Sequence, residues 1–325
     1  MRSTLALLVL VAGALGLDDL DQEWTAYKAK HNKKYGAEED SYRRSLFHET
    51  KRKVEEHNRK HAAGLVSYSQ GINHFSDLTK EELSQRLSCL RGSLDFDGPR
   101  VEHQRPAYAV VPDEVDWRSK GAVTRVQDQG SCGSCWAFSA IAALEGQHFL
   151  KNGTLVDLSE QNLVDCDKKD LQCQGGWPFQ AYVYIAKQGV DTEVSYPYDS
   201  WDGTPRECRF NADTVGATDK AVAFIKEGSE EDLQHAVATV GPVSVAVDSR
   251  NFASYNGSVF YDPECSPDFL DHAVTVVGYG TEAGEDYWLV KNSWGRFWGL
   301  EGYIKLARNR NNHCGIATMA VYPVV

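Results

Sequence analysis

Six residues set the first pattern: Glu39, Arg43, Phe47, Thr50, Val54 and Asn58 recur at intervals of 4, 4, 3, 4 and 4 positions. At about 100° per residue they fall within an arc of roughly 100°, one face of a helix. Residues 18–87 as a whole read as helical. Residues 88–110, with Gly92, Gly98 and Pro106, read as an exposed connector open to cleavage. From Val111 the texture changes. The pattern predicts a helix over Cys135–Leu150, with Trp136, Ala140, Ala143 and Leu144 along one side, and shorter helices over Leu158–Val164 and Pro178–Lys187. After about Lys220 it predicts strands at Val243–Val247, Ala273–Val277 and Tyr287–Val290, with Gly278-Tyr279-Gly280 as a turn between them. A helical half followed by a strand-rich half implies an α+β pair of lobes with a cleft between them.

The first residues change the picture. Arg2 precedes an apolar run, Leu5 to Val11, and then the small residues Ala14 and Gly16 around Leu15. Residues 1–16 therefore read as a signal peptide, too short to anchor in a bilayer, and the rest as a soluble protein of the secretory pathway. At 325 residues and 42% hydrophobic content, the chain can bury more than one core. Residues 17–110 hold 16 basic and 16 acidic side chains, whereas 111–325 hold 17 basic against 30 acidic. That surplus of acid excludes nucleic acid and anionic membrane as partners. It also suggests that the basic clusters Lys51-Arg52-Lys53 and Arg59-Lys60 help dock the first segment onto the second.

Eight cysteines in a secreted chain point to disulfides. Seven lie beyond residue 111, an odd number, so at least one thiol there is left over. Cys89 stands alone in the N-terminal block. The pair Cys132-x-x-Cys135 is open to two readings from spacing alone, a redox couple or half a zinc site, although no second close pair exists to complete the latter. His57 and His61 have helical metal-ligand spacing without a third ligand and read as solvated surface.

The segment Cys132-Gly-Ser-Cys135-Trp136, preceded by Gln129, resembles the active-site motif of the papain and cathepsin family. Asp271-His272-Ala273 follows 137 residues after Cys135, and Asn292-Ser293-Trp294-Gly295 begins 157 residues after it. The resemblance covers residues 18–325. It implies a papain-like two-lobe fold, with a helical left lobe over 111–220 and a β-barrel-like right lobe over 221–325, preceded by a mainly helical inhibitory propeptide over 17–110. It also implies a cysteine endopeptidase made as a zymogen and needing no cofactor or metal. Cys135 would be the nucleophile, paired as thiolate with a His272 imidazolium and activated by a helix N-terminus. Asn292 would orient the imidazole, Trp294 would cover it, and Gln129 would donate to the oxyanion.

Further implications come with the family. Its disulfides map onto Cys132–Cys173, Cys166–Cys208 and Cys265–Cys314, which leaves Cys135 reduced and Cys89 a free thiol lost with the propeptide. The helix face above and Gly71-Ile72-Asn73-His74-Phe75-Ser76-Asp77 match the family's two propeptide motifs, with Thr50 and Val54 as mild departures, and point to the cathepsin L-like branch. Gly175 and Gly176 would pair with extended substrate. Trp177, Pro178, Ala246, Leu270, Ala273 and Met319 would line an apolar pocket for the second residue before the scissile bond. The implied partners are protein and peptide substrates, the chain's own propeptide and cystatin-type inhibitors, for a monomer in the lysosome or outside the cell. Asn152 and Asn256 have the form of glycosylation acceptors.

Overall fold

The computed structural model describes residues 20–325; the expected signal peptide, 1–16, lies outside the described residues. The N-terminal block starts with helix α1 over 20–30 and continues with α2, Ala37–Ala62. Acidic Glu38, Glu39 and Asp40 open α2 and Arg59, Lys60 and His61 close it, which suits the helix dipole. Trp24 and Tyr27 of α1 stack at 5.5 Å between ring centroids and pack with Phe47 of α2, a small core of their own. Strand β1, Ser69–Gln70, and helix α3, Lys80–Leu87, follow. Thr79 and Glu82 form a capping box that starts α3, and Arg43 of α2 grips the same Glu82 at 2.5 and 2.6 Å.

Beyond Val111 two cores form. In the first, α4 (Cys135–Asn152), α5 (Glu160–Cys166) and α6 (Pro178–Gln188) bury Trp136, Ile141, Leu144, Leu163, Phe179 and Tyr182. Helix α4 is buried on every side from Cys135 to Gln147, so it sits at the centre rather than on a surface.

The second core lies against a nine-stranded sheet. Its strands are β2 (Arg100–Glu102), β3 (Val115–Asp116), β6 (Ala221–Phe224), β7 (Val243–Val247), β9 (Val259–Phe260), β10 (His272–Glu282), β11 (Glu285–Lys291), β12 (Tyr303–Ala307) and β13 (Ala320–Val324). The order is β2-β6-β13-β7-β10-β11-β12-β9, with β3 added on β10. Strands β4 (Val190–Asp191) and β5 (Val215–Ala217) pair separately, and β8 (Tyr255–Gly257) pairs with β1. Helix α7, Glu230–Thr239, buries Leu233, Ala236 and Val237 in this core. The cores exchange segments: Val115 and Trp117 join the second, and Phe224, Ala246 and Val321 the first.

Two local expectations are corrected. Gly278-Tyr279-Gly280 is not a turn but the middle of β10. A Cβ on Gly278 would collide with the Val115 carbonyl where β3 pairs alongside, so the glycine serves a close approach. The reversal comes later, at Ala283 and Gly284, both with positive φ. Nor is 88–110 a bare connector. Cys89 is 1% exposed, and residues 100–102 form β2, paired in parallel with β6.

The N-terminal block docks on the second core mainly through apolar contacts and backbone pairing. Tyr68 meets Phe260 at 4.5 Å and Phe75 meets Trp294 at 5.7 Å between centroids, while β1 pairs with β8. The expected charge attraction from the basic clusters does not occur. Lys51 pairs with Glu23, Lys53 with Glu49 and Lys60 with Glu56, all within the same block. These acids lie one turn or one helix away, and so reach the lysines before any acid beyond residue 111 can.

Candidate active site

Cys135 is the first residue of α4 and His272 the first of β10, so the junction of the two cores brings them together. The Ser134 hydroxyl hydrogen-bonds Tyr198 rather than capping α4, which leaves the helix's first amides beside Cys135. Nε2 of His272 bonds Asn292 Oδ1 at 2.8 Å. The same oxygen accepts the Ser293 N–H at 2.8 Å, which fixes the amide's orientation and makes Nε2 the protonated nitrogen. Nδ1 is then free to face sulfur. Trp294, 1% exposed, stacks on the imidazole at 4.7 Å. Gln129 Nε2 donates to Cys132 O at 2.9 Å and to Arg86 O at 3.3 Å, and its Oε1 accepts from Ser293.

The cysteines pair as Cys132–Cys173, Cys166–Cys208, Cys265–Cys314 and Cys89–Cys135. The last corrects the expectation of a reduced Cys135 and a free Cys89. The two sulfurs and an imidazole nitrogen of His272 lie within 4.8 Å of one another, with Cys89 Sγ 3.8 Å from Nδ1. The expected thiolate–imidazolium pair is therefore absent. Burial pushes the imidazole down to about 4, against the smaller opposing effects of its bond to Asn292 and of the nearby Leu87 backbone. A sulfur held in a disulfide carries no charge to offset that burial. Cys132, tied to Cys173, forms no couple with Cys135.

Residues 89 and 90 lie in the cleft as an added strand. Cys89 N–H donates to Asp271 O at 2.7 Å, Cys89 O accepts from Gly176 N at 3.1 Å, and Leu90 pairs with Gly176 in parallel. Gly175 has φ +123°, and a Cβ there would stand 2.6 Å from Cys89 O. Leu90, Leu270 and Met319 pack against the apolar cluster that holds Trp177, Ala246 and the nearby Phe179, while Ala273 touches Cys89 and Cys135. Pro178 begins α6. Asn152 and Asn256 are both exposed, the latter against Gly71. His57 and His61 bond the backbone carbonyls of Tyr68 and Val66.

Sequence reasoning missed Ser293, which steadies Gln129, and a buried charge cluster behind the site. There Lys291 donates to Thr124, Thr124 to Glu145, and Gln127 to Glu160. Burial pushes Glu145 up to about 7 and Glu160 well above the carboxylate range.

A family model described as papain family cysteine protease matches residues 111–324. The chain belongs to the papain family of cysteine proteases. A second model, the cathepsin propeptide inhibitor domain, matches residues 24–83, so this papain-family chain is a cathepsin L-like endopeptidase in its proenzyme form. It is 49% identical to a cathepsin L of Sarcophaga peregrina over 100% of both chains, and 49% identical to a cathepsin L-like peptidase of Aedes aegypti over 98% of this chain and 97% of that one. Among solved structures it resembles digestive procathepsin L2 of Tenebrio molitor larval midgut. That match has a TM-score of 0.89 at 41% identity and covers 94% of this chain and 100% of the other.

Proposed function

We propose that Cys135 is the nucleophile of this endopeptidase and His272 its proton partner. The observation that carries the reading is the tautomer. Asn292 holds Nε2–H, so Nδ1 presents a lone pair toward the sulfurs. Nδ1 takes the proton of Cys135 Sγ, the thiolate attacks the peptide carbonyl, and Nδ1 returns the proton to the leaving amine. Water then hydrolyses the acyl-enzyme by the same route. Gln129 Nε2 and the Cys135 N–H are the donors to the oxyanion. Beside its bond to Cys132 O, Gln129 Nε2 already donates to the Arg86 carbonyl of the N-terminal block, which supports its reach.

Residues 1–16 are the signal peptide, 17–110 the propeptide and 111–325 the mature enzyme, a secretory-pathway monomer of lysosome or extracellular space open to cystatin-type inhibitors. Gly175 and Gly176 bind the substrate backbone. Trp177, Pro178, Ala246, Leu270, Ala273 and Met319 form an apolar pocket for the second residue before the scissile bond, and Trp294, on the substrate side of the site, covers the His272–Asn292 bond. Leu90, packed against that cluster, supports the assignment.

Cys135→Ala abolishes peptide hydrolysis and thiol alkylation, and the wild-type rate is bell-shaped in pH. Proteolysis by Cys135→Ala sinks the assignment. On a positional peptide library the enzyme accepts Leu, Val or Pro at the second position and turns over Arg roughly a hundredfold more slowly, because an unpaired guanidinium is costly to bury. Equal rates with Arg and Leu refute the pocket.

A further inference from the structure

Cys89 is the one cysteine of residues 17–110, and Cys135 is the one cysteine beyond 111 left over once the other six have paired. The two are bonded to each other. The placement of Cys89 does not depend on that bond alone. Its N–H is tied to Asp271 and its carbonyl to Gly176, and its Cβ lies against Gly133, where an added methyl group would stand 3.3 Å away. From there the side chain reaches Cys135 and His272, its Sγ 3.8 Å from the imidazole Nδ1.

Resting on Cys135 as the nucleophile, we propose that Cys89 is an intramolecular modifier of that nucleophile, and that the zymogen is opened by a low-molecular-weight thiol as well as by cleavage of its chain. Cleavage anywhere within 92–110 separates the mature enzyme from its propeptide along the backbone, yet leaves the peptide around residue 89 joined to Cys135. Proteolysis by itself yields a covalently capped enzyme.

The releasing chemistry is thiol–disulfide exchange. A small thiolate attacks Sγ of Cys89, a new S–S bond forms there, the Cys89–Cys135 bond breaks, and the electron pair leaves on Cys135. A second small thiol attacks the mixed disulfide, frees Cys89 and departs as the small-molecule disulfide. One protein disulfide and two thiols thus become two protein thiols and one small disulfide. The direction of attack follows from the leaving group, since the sulfur whose thiolate is better stabilised leaves faster, and Cys135 sits at the start of α4. The reverse exchange, with a small disulfide as oxidant, makes the bond in the secretory pathway. Cys89 and Cys135 are 1% and 0% exposed, so exchange waits until the segment around Leu90 lifts from the cleft. Until then the cap resists stray reductant.

Two measurements test this on the full-length precursor, purified without reductant. In the first, the protein is denatured in iodoacetamide and digested with trypsin. Peptide 87–91 emerges disulfide-linked to the peptide carrying Cys132 and Cys135. Finding Cys89 alkylated instead overturns the bond, whatever the enzyme does with peptides. In the second, wild type, Cys89→Ser and Cys89→Ala are acidified with and without a dithiol and assayed on a fluorogenic peptide. Wild type stays silent until the dithiol is added, whereas the variants, whose mature enzyme lacks residue 89 in any case, gain activity without it. Full activation of the bonded wild type without thiol, or the same thiol requirement in both variants, overturns the cap. Failure of Cys135→Ala to lose activity overturns instead the underlying assignment of the nucleophile.

Discussion

At the scale of single residues, His272 records the difference between the silent and working states. Its imidazole titrates at about 4 in the precursor because it is buried against uncharged sulfur. Removal of the N-terminal block leaves a thiolate beside it, and a neighbouring anion favours the charged ring. The imidazole signal, followed by NMR against pH, moves from about 4 in the precursor to above the ordinary 6.5 in the mature enzyme. The same value in both forms would refute the account. Some of this was legible in the sequence. Cys135, His272 and Asn292 could be singled out because each sits in a short local motif. The partner of Cys89 could not, since a bond spanning 46 residues leaves no local trace. Its single sign was parity, an odd number of cysteines on each side of residue 111.

At the scale of elements, regular periods were legible and glycine was not. The face spaced 4, 4, 3, 4 and 4 is the working face of α2. Phe47 and Val54 are buried on it, Arg43 reaches Glu82, and Asn58 pairs both ways with the backbone of Gln70. Gly278 misled because a glycine admits either a turn or a closely packed neighbouring strand, and only the distant β3 decides. The charge cluster behind the site was hidden for a related reason. Glu145 lies on α4, Glu160 on α5 and Lys291 on β11, and only packing brings them together. Glu145 also accepts the Leu158 N–H, so it ties α4 to the start of α5. Glu145→Ala strands Lys291, Thr124 and that N–H together and costs about 3–5 kcal/mol in urea unfolding of the mature enzyme. A loss below about 1 kcal/mol, the size expected of an exposed ion pair, would show that the cluster carries no structural weight.

For the whole molecule the question is which group gives way first on acidification. His74 lies half-buried at the seam, with both ring nitrogens shut off from solvent and neither hydrogen-bonded. Burial, then Lys33, His31 and Arg86, push it down to about 3, with Asp77 opposing. His31, edge-on to Phe297, is pushed to about 4 by burial, Lys30 and Lys33, again against Asp77. A released block takes up these protons near 6.5. The closed form therefore keeps its full stability above pH 6.5 and loses it as pH falls toward 4 and 3. The slope is at most about 1.4 kcal/mol per pH unit for each histidine, less for the partly exposed His31. Glu82, held to about 2 by Arg43, contributes stability that is lost only as pH falls from 4.5 toward 2. The histidines yield first. His74→Leu therefore moves the pH of half-activation downward, and an unchanged midpoint would remove His74 from the trigger. Raising salt has little effect on that midpoint, because the lysines of α2 satisfy acids of their own block and the pairs that do cross, Arg105 with Glu231 and Asp232 and Lys169 with Asp97, are exposed and individually weak.

Departure of the N-terminal block has a price beyond the cleft. Strand β2 shields one margin of β6, and Arg100 lies 3.9 Å over the ring of Phe224. Once residues 100–102 are gone, β6 shows water a bare row of peptide groups beside an uncovered aromatic ring, a template on which another chain can lie down. The precursor is the form fit for stockpiling at high concentration, and the product is the form to be made at the moment of use.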